Sequence, residues 1–226
     1  MTTDDIKTGV KIMADKIKEK SNLALCARAV FGDGLAIIQL AIECGKTIIS
    51  LPDALFYSKL TKFLKGVNFT DEDRATMSAW IAENSTEDDN ALRLVSYIDN
   101  AKSLKKVEYL ANATRCALSY NLSLELYFRI CSVIDTTTEE DLKFLSDNIY
   151  KNYDKTFKQN YITQKLYSAG LMEVIEIIHD FGKHKFNSLA QLVDVCAVSF
   201  ADDSRYPNPK RTIDEIISNL DSQISE

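Results

Sequence analysis

Val174-Ile175-Glu176-Ile177-Ile178, followed by His179-Asp180-Phe181-Gly182-Lys183-His184-Lys185-Phe186, is the stretch that separates this chain from a plain helical bundle. Its first part is β-branched at every position but Glu176, which suits the pleated surface of a strand. Gly182 supplies a turn residue, so the stretch predicts a β-hairpin. On its N-terminal side, Lys155 to Ala169 read as a helix capped by Gly170. On its C-terminal side, Asn187 or Ser188 caps a helix from Leu189 to about Phe200.

Helix, glycine, hairpin, helix is the layout of a small winged-helix-like module, expected over residues 151–226. Pro207 and Pro209 punctuate its tail before a last amphipathic helix near Ile213, Ile216, Ile217 and Leu220.

Upstream, over residues 1–150, the pattern is helical throughout. Ile6, Val10, Met13 and Ile17 form a stripe at spacings of four and three. Phe31-Gly32-Asp33-Gly34 interrupts it, and an apolar helix follows as far as Pro52, which can end that helix or open the next. The next helix carries Leu55, Lys59, Lys62, Phe63 and Leu64, and Gly66 stops it. Thr70 and Thr86, each followed by acidic residues, mark two more helix starts. Leu92, Val95 and Ile98 form the next stripe, and Leu104, Val107, Leu110 or Ala111, and Thr114 follow a Ser103 cap. Ser123 opens a helix with Tyr127, Ile130, Cys131 and Ile134 inward, and Thr137 with Glu140 reads as a capping box. Short helices with short connections favour a compact bundle. The fold expected is mainly α, with eight to ten helices: a bundle over 1–150 and the hairpin-bearing module over 151–226.

Composition supports this and narrows the function classes. The 226 residues contain 7 glycines and 3 prolines, against about 27 expected from average usage of about 7% and 5%, so turn-rich β folds are disfavoured. The balance of 27 basic and 33 acidic residues gives a net charge of −6, which opposes whole-molecule attraction to nucleic acid or anionic lipid. Five scattered cysteines, Cys26, Cys44, Cys116, Cys131 and Cys196, sit in apolar runs and read as reduced thiols, and Met1 to Lys20 lacks the apolar core of a secretory signal. A cytoplasmic location is expected.

The segment from Gly34 to Pro52 approaches the length of a membrane span, but Glu43 and Lys46 interrupt its middle. Two central charges cost about 5–7 kcal/mol against about 2.5–5 kcal/mol gained from its aliphatic residues, so insertion is unfavourable or near balance. Glu43 and Lys46, three residues apart, can pair on one helix face. Ile38, Ile42, Glu43, Lys46 and Ile49 are therefore the candidate self-association residues, with membrane insertion on activation as the alternative.

Motifs for chemistry are sparse. His179 and His184 are five apart across the hairpin, without the spacing that converges on zinc, and no Cys-x-x-Cys occurs. There is no Gly-x-Ser-x-Gly elbow, and Phe31-Gly32-Asp33-Gly34 has no third glycine and no preceding strand, so it reads as a hinge. The acidic groups Asp71 to Asp73, Glu87 to Asp89 and Glu139 to Asp141 each fall in a first helical turn, where they complement the helix dipole. No catalytic residue, cofactor or metal site is expected. Lys59, Lys62 and Lys65, and separately Lys102, Lys105 and Lys106, read as solvated faces. The candidate nucleic-acid contacts are Lys165, Lys183, His184 and Lys185, although residues 150–190 contain no arginine to read base edges.

An apolar helix ending near Pro52, then Lys59, Lys62-Phe63-Leu64, Asp73-Arg74, Arg93-Leu94, Ile98-Asp99, Lys105-Lys106 and Tyr127-Phe128-Arg129, resembles helical proteins carried by bacteria and their mobile elements. The C-terminal layout, Gln164-Lys165-Leu166, Gly170-Leu171, a hairpin and Leu189-Ala190, is similar to the end of the abortive-infection alpha family found near prophages. The resemblance runs from about Ile49 to Phe200, carries no catalytic residue across, and implies a setting of phage and host conflict. The expected function is that of a non-enzymatic interaction protein, in antiviral defence or its evasion, that binds itself as a homo-oligomer or binds another protein. A winged-helix DNA-binding regulator and a membrane-perturbing effector are the alternatives.

Overall fold

The structure, a computed structural model, describes residues 51–67, 70, 72–73, 75–76, 87–152, 155–178, 181–200, 202 and 204–224. It is mainly helical with a small three-stranded antiparallel sheet. By packing, the chain forms two compact units, Met1–Val107 and Glu108–Glu226. The expected boundary near residue 150 falls inside the second unit, whose core is shared by helices from both sides of it.

In the first unit, α1 (Leu51–Val67) packs on α2 (Glu87–Asn100). Pro52 lies in the first turn of α1, where its missing N–H costs nothing. Leu60, Phe63 and Val67 of α1 and Leu94, Val95 and Ile98 of α2 are buried, the spacing of one helical face each. Lys59 departs from the expected solvated face. It is buried, and its ammonium donates to the backbone carbonyl of Asp99, one of the orphan carbonyls in the last turn of α2. Thr70 begins a further helical stretch as its sequence implied: its hydroxyl accepts from the Asp73 N–H at 3.1 Å, and its own N–H donates to the Asp73 carboxylate at 2.8 Å.

Helix α3 (Leu104–Tyr120) starts at the Ser103 cap, whose hydroxyl accepts from the Lys106 N–H at 3.2 Å, and runs across the division between the units. Leu104, expected inward, is 48% exposed, while Lys106 of the expected basic face is buried. Asn121 takes a left-handed φ of 53° just beyond the last turn of α3, which asparagine tolerates better than most residues.

The second unit is built around α4 (Leu124–Thr136), α5 (Glu139–Asn152) and the segment after the hairpin. Ser123 caps α4 through the Leu126 N–H at 3.2 Å, and Tyr127, Ile130, Cys131 and Ile134 are buried as expected. The cap of α5 is shifted by one residue from the expected pair. The Thr137 N–H is still bonded to the Val133 carbonyl at 2.9 Å, so Thr137 closes α4. Thr138 therefore opens α5, its hydroxyl donating to the Asp141 carboxylate at 2.7 Å and accepting from the Asp141 N–H at 3.2 Å.

The expected helix over Lys155 to Ala169 is also revised. Phe157–Lys158 is a strand, β1, and the helix α6 spans only Tyr161–Ser168. Asn160 and Thr163 form a reciprocal capping box, and Gly170, at φ 75°, ends the segment. The hairpin is present: β2 (Met172–Ile178) pairs antiparallel with β3 (Phe181–Phe186). His179 and Asp180, between the strands, lie outside the described residues. The sheet order is β1-β3-β2, so β3 is central and recruits β1 through Phe157 opposite His184 and Lys158 opposite Lys183. The Phe157 ring then packs edge to face on Phe144 of α5 and Phe186 of β3, which anchors the sheet to the helices.

Asn187 caps α7 (Ser188–Val193), accepting from the Ala190 N–H at 3.0 Å. The helix expected to continue to Phe200 becomes a π-helical segment, Asp194–Val198, at the centre of the core. The Asn112 side chain donates to the Ala197 carbonyl at 2.9 Å, satisfying a backbone group displaced from α geometry. The last helix, α8 (Pro209–Ile224), buries Ile213 and Ile216 and packs on α7. Among the described residues no helix is long and apolar enough to cross a membrane.

Candidate functional site

The expected self-association residues Ile38, Ile42, Glu43, Lys46 and Ile49 lie outside the described residues. The four candidate nucleic-acid contacts are all described, and the structure does not gather them on one surface. Lys183 is half-buried on β3, and its ammonium sits 2.6 Å from the Glu176 carboxylate. Lys185 stands opposite Glu173 in the β2–β3 register. Lys165, on α6, lies 4.3 Å from the centre of the Tyr161 ring and 3.9 Å from the Asp141 carboxylate. The Tyr161 hydroxyl, with Asp141 and Glu140 adding to it, holds the Lys165 ammonium above its ordinary pKa. His184 is only 3% exposed, so its ring is off the surface on which a phosphate backbone would lie.

His184 instead lines a cavity of about 420 Å³ between α6 and the sheet, with Gln159, Gln164, Tyr167, Val174 and Gly182 among its walls. The helical period of α6 puts Thr163 and Leu166 into the core and leaves Gln164, Tyr167 and Ser168 facing out. In β3, alternation buries His184 and Phe186 and turns Lys183 and Lys185 outward. The Tyr167 ring meets the His184 imidazole edge to face at 5.6 Å. The Gln159 side chain is committed, its Oε1 accepting from the Gly182 N–H at 3.0 Å. His184 Nδ1 is buried and has no hydrogen-bond partner among the described residues, an arrangement that costs about 1–3 kcal/mol. Among the described residues that line this cavity none is acidic, lysine or arginine.

A second cavity, of about 590 Å³, shares Gln164 and Ser168 with the first and reaches Thr137, Thr138, Asp141 and Lys165. The Thr137 hydroxyl in its wall is the other buried polar atom without a partner among the described residues. Large apolar side chains of the cavity walls stand in water, Tyr161 being 70% exposed, Tyr167 50% and Val174 40%, and Ile175, next to Val174 in β2, is 46% exposed. Sequence reasoning named none of these four as a candidate site residue, although Val174 and Ile175 were read as part of the hairpin strand. The signal available was an aromatic pair, Tyr161 and Tyr167, on the outward face of a helix whose inward face is occupied by Thr163 and Leu166.

One further polar cluster carries chemistry-bearing groups. Asp194, fully buried at the start of the π segment, accepts from the Tyr206 hydroxyl at 2.5 Å and from the Ser199 hydroxyl at 2.8 Å. Arg205 donates to the Ser146 carbonyl at 3.0 Å and to the Ser199 hydroxyl at 2.9 Å. Burial raises the Asp194 pKa, and the hydrogen bonds from Tyr206, Ser199 and Ser146 and the Arg205 charge oppose that rise. The hydroxyls of Ser146 and Ser199 are 3.0 Å apart and are engaged with each other and with Arg205, the Ser199 hydroxyl also donating to Asp194. The cluster fastens the segment 199–206 to α5 and the π segment. Among the described residues no group of three or more histidine, cysteine or acidic side chains is arranged to hold a metal ion.

Comparison of the chain with protein-family models, with curated proteins and with solved structures finds no match in any of the three.

Proposed function

We propose that this chain is a non-enzymatic interaction protein of phage and host conflict, acting in antiviral defence or its evasion by binding another protein or a second copy of itself. The setting rests on the resemblance of residues 49–200 to the abortive-infection alpha family. The mode of action rests on one observation: Tyr161, Tyr167, Val174 and Ile175 present large apolar surfaces to solvent on adjoining elements α6 and β2. Such grouped apolar exposure, with aromatic anchors beside a recess, is what protein-docking faces use.

The winged-helix-like reading of residues 151–226 belongs to the same proposal as a docking module. A reader of DNA by helix-turn-helix needs two helices in succession, with the second in the major groove. Here a single eight-residue helix, α6, lies between β1 and β2. Lys183 and Lys185, the charges a regulator would offer to phosphates, face Glu176 and Glu173. These features favour protein docking over DNA binding.

The test is light scattering on the eluting protein, alone, with plain duplex DNA, and with anionic lipid vesicles. An elution and mass unchanged by either additive is the expected result. A salt-sensitive shift onto the DNA overturns the reading in favour of the regulator, and a shift onto vesicles overturns it in favour of the membrane effector.

A further inference from the structure

We propose that the cleft between α6 and the α4–α5 junction binds a neutral polyhydroxylated ligand of the saccharide class, one hydroxyl of which bridges the Lys165 ammonium and the Asp141 carboxylate. This goes beyond protein docking and is tested apart from it.

The short helix supplies one wall. Tyr161, Gln164, Lys165 and Ser168 stand at i, i+3, i+4 and i+7 of α6, a single helical face. The core takes Thr163 and Leu166 from the other face, so this stripe of polar and aromatic side chains is left to line the cleft. Tyr161, Gln164 and Ser168 are exposed and Lys165 is half-buried, so each is open to a ligand from solvent. The last turn of α4, with Val133, and the first turn of α5, with Asp141, form the opposite wall. The cleft holds about 590 Å³, inside the range of about 300–1,000 Å³ of small-ligand sites.

The paired charges select what enters. The Lys165 ammonium lies 3.9 Å from Asp141 Oδ2, with 38% of the lysine and 8% of the aspartate side chain exposed. That separation exceeds the span of about 2.7–3.2 Å of a direct hydrogen bond. An ammonium only donates and a carboxylate only accepts. An oxygen seated about 2.8 Å from both must accept from the first and donate to the second, which a hydroxyl does on one atom. The Thr138 hydroxyl, donating to the same Oδ2 at 2.7 Å, holds the carboxylate in place for it. A ligand anion drawn to Lys165 would meet Asp141 at the same point, and a ligand cation drawn to Asp141 would meet Lys165, so the pair disfavours a net charge of either sign.

The rest of the stripe extends the match. Gln164 and Ser168, four residues apart on α6, are neighbours on its surface. Their amide and hydroxyl each both donate and accept, as a second ligand hydroxyl requires. Val133 and the Tyr161 ring are apolar wall between and beside these polar points, and they suit the C–H faces of a sugar ring. A molecule with hydroxyls arrayed around a carbon ring meets both kinds of surface.

The experiment titrates the full chain by calorimetry with neutral hexoses, N-acetylhexosamines and their disaccharides at millimolar concentrations, then with the phosphorylated and amino derivatives of any sugar that binds. The expected result is that at least one neutral sugar binds and that both charged derivatives bind about tenfold more weakly or worse. Lys165→Met, which keeps the apolar stem, and Ser168→Leu, at an exposed position, should each weaken the sugar about tenfold. Tyr167→Ala should leave it unchanged, because Tyr167 lines the neighbouring cavity and not this one. The charged derivatives alter only the ligand, so the result stands even where a variant fails to fold. Tighter binding of a disaccharide assigns the site to the end of a sugar chain and equal binding assigns it to a free monosaccharide; either supports the inference. Binding of none of the sugars overturns it, as does a charged derivative that binds as tightly as the neutral sugar, or sugar binding that neither Lys165→Met nor Ser168→Leu weakens.

Discussion

The Tyr206 hydroxyl donates to the Asp194 carboxylate at 2.5 Å, tying the segment before the last helix to the first residue of the π-helical turn in the core. Tyr206 also stacks edge to face on Tyr150 of α5, with ring centres 5.9 Å apart. The bond satisfies a carboxylate that has no access to water, and burial together with the nearby Asp194 charge pushes the Tyr206 hydroxyl well above its ordinary pKa. Replacing Tyr206 by phenylalanine keeps the ring and removes the donor. The expected loss is about 1.5–3 kcal/mol, the range for a hydrogen bond to a charged group, read as a lower urea midpoint with an unchanged slope.

Asp194 also sets a pH dependence. Burial raises its native pKa above the ordinary value of 3.8, so between 3.8 and that raised value the native state holds more proton than the unfolded state. Stability contributed by this group therefore falls as pH rises through that window. Asp194→Asn removes the titration while keeping an acceptor for Tyr206. Urea midpoints measured from about pH 3 to about pH 7 should show a smaller acid-side advantage in the variant than in the parent. A parallel pair of profiles would refute the assignment.

The two threonines at the α4–α5 junction should behave oppositely. Thr138→Ala removes the cap of α5 and should cost about 0.5–2 kcal/mol. Thr137→Val replaces a buried hydroxyl that has no partner among the described residues by a methyl of the same shape, and should be neutral or stabilising. Thermal unfolding of both variants reads the contrast directly.

Lys59 contributes as a helix terminator rather than as surface charge. Lys59→Met keeps the apolar stem and removes the ammonium from the Asp99 carbonyl, so it should cost about 1 kcal/mol. Lys62→Met, at a partly exposed position of the same helix, should change stability by less than about 0.5 kcal/mol. Equal losses in the two would remove the cap's special role.

Gly182→Ala tests how tightly the His184 cavity is framed. The added methyl meets His184 Cε1 at 3.3 Å and Gln159 Oε1 at 3.4 Å, so the side chains must yield by a few tenths of an ångström. A loss of about 1 kcal/mol is expected, at the low end of overpacking costs. Lys183→Ala, which breaks an exposed ion pair, should cost no more than about 1 kcal/mol.

The helices of the described chain were legible because their signals are local. Ser103 and Ser123 cap helices at the positions their spacing implied, the stripe of α4 is buried where the 3.6 period put it, and Val95 and Ile98 of the α2 stripe are buried; in α1 only part of the expected stripe is inward, since Leu55 is exposed and Leu60 and Val67 share the core with Phe63. The hairpin was legible for the same reason, since a β-branched run bounded by glycine needs only its neighbours to be recognised. The Thr137 cap was misread because two adjacent threonines both suit the role, and only the bond from the Thr137 N–H back to Val133 decides between them.

The candidate face was far less legible, because what defines it depends on residues distant in sequence. His184 was expected at the surface; alternation in β3 together with packing on Tyr167 of α6 buries it. By itself the sequence determined a mainly helical chain with one antiparallel hairpin, because caps, periodicity and β-branching act over a few residues. Tertiary structure alone decided the rest. Phe157–Lys158 is a strand only because β3 lies beside it, and Lys59 is a cap only because the end of α2 lies against α1. The π turn at Asp194 forms where Asn112, Ser199 and Tyr206 converge to satisfy it. Each of these states depends on partners brought together by folding, and no local pattern encodes a partner that far along the chain.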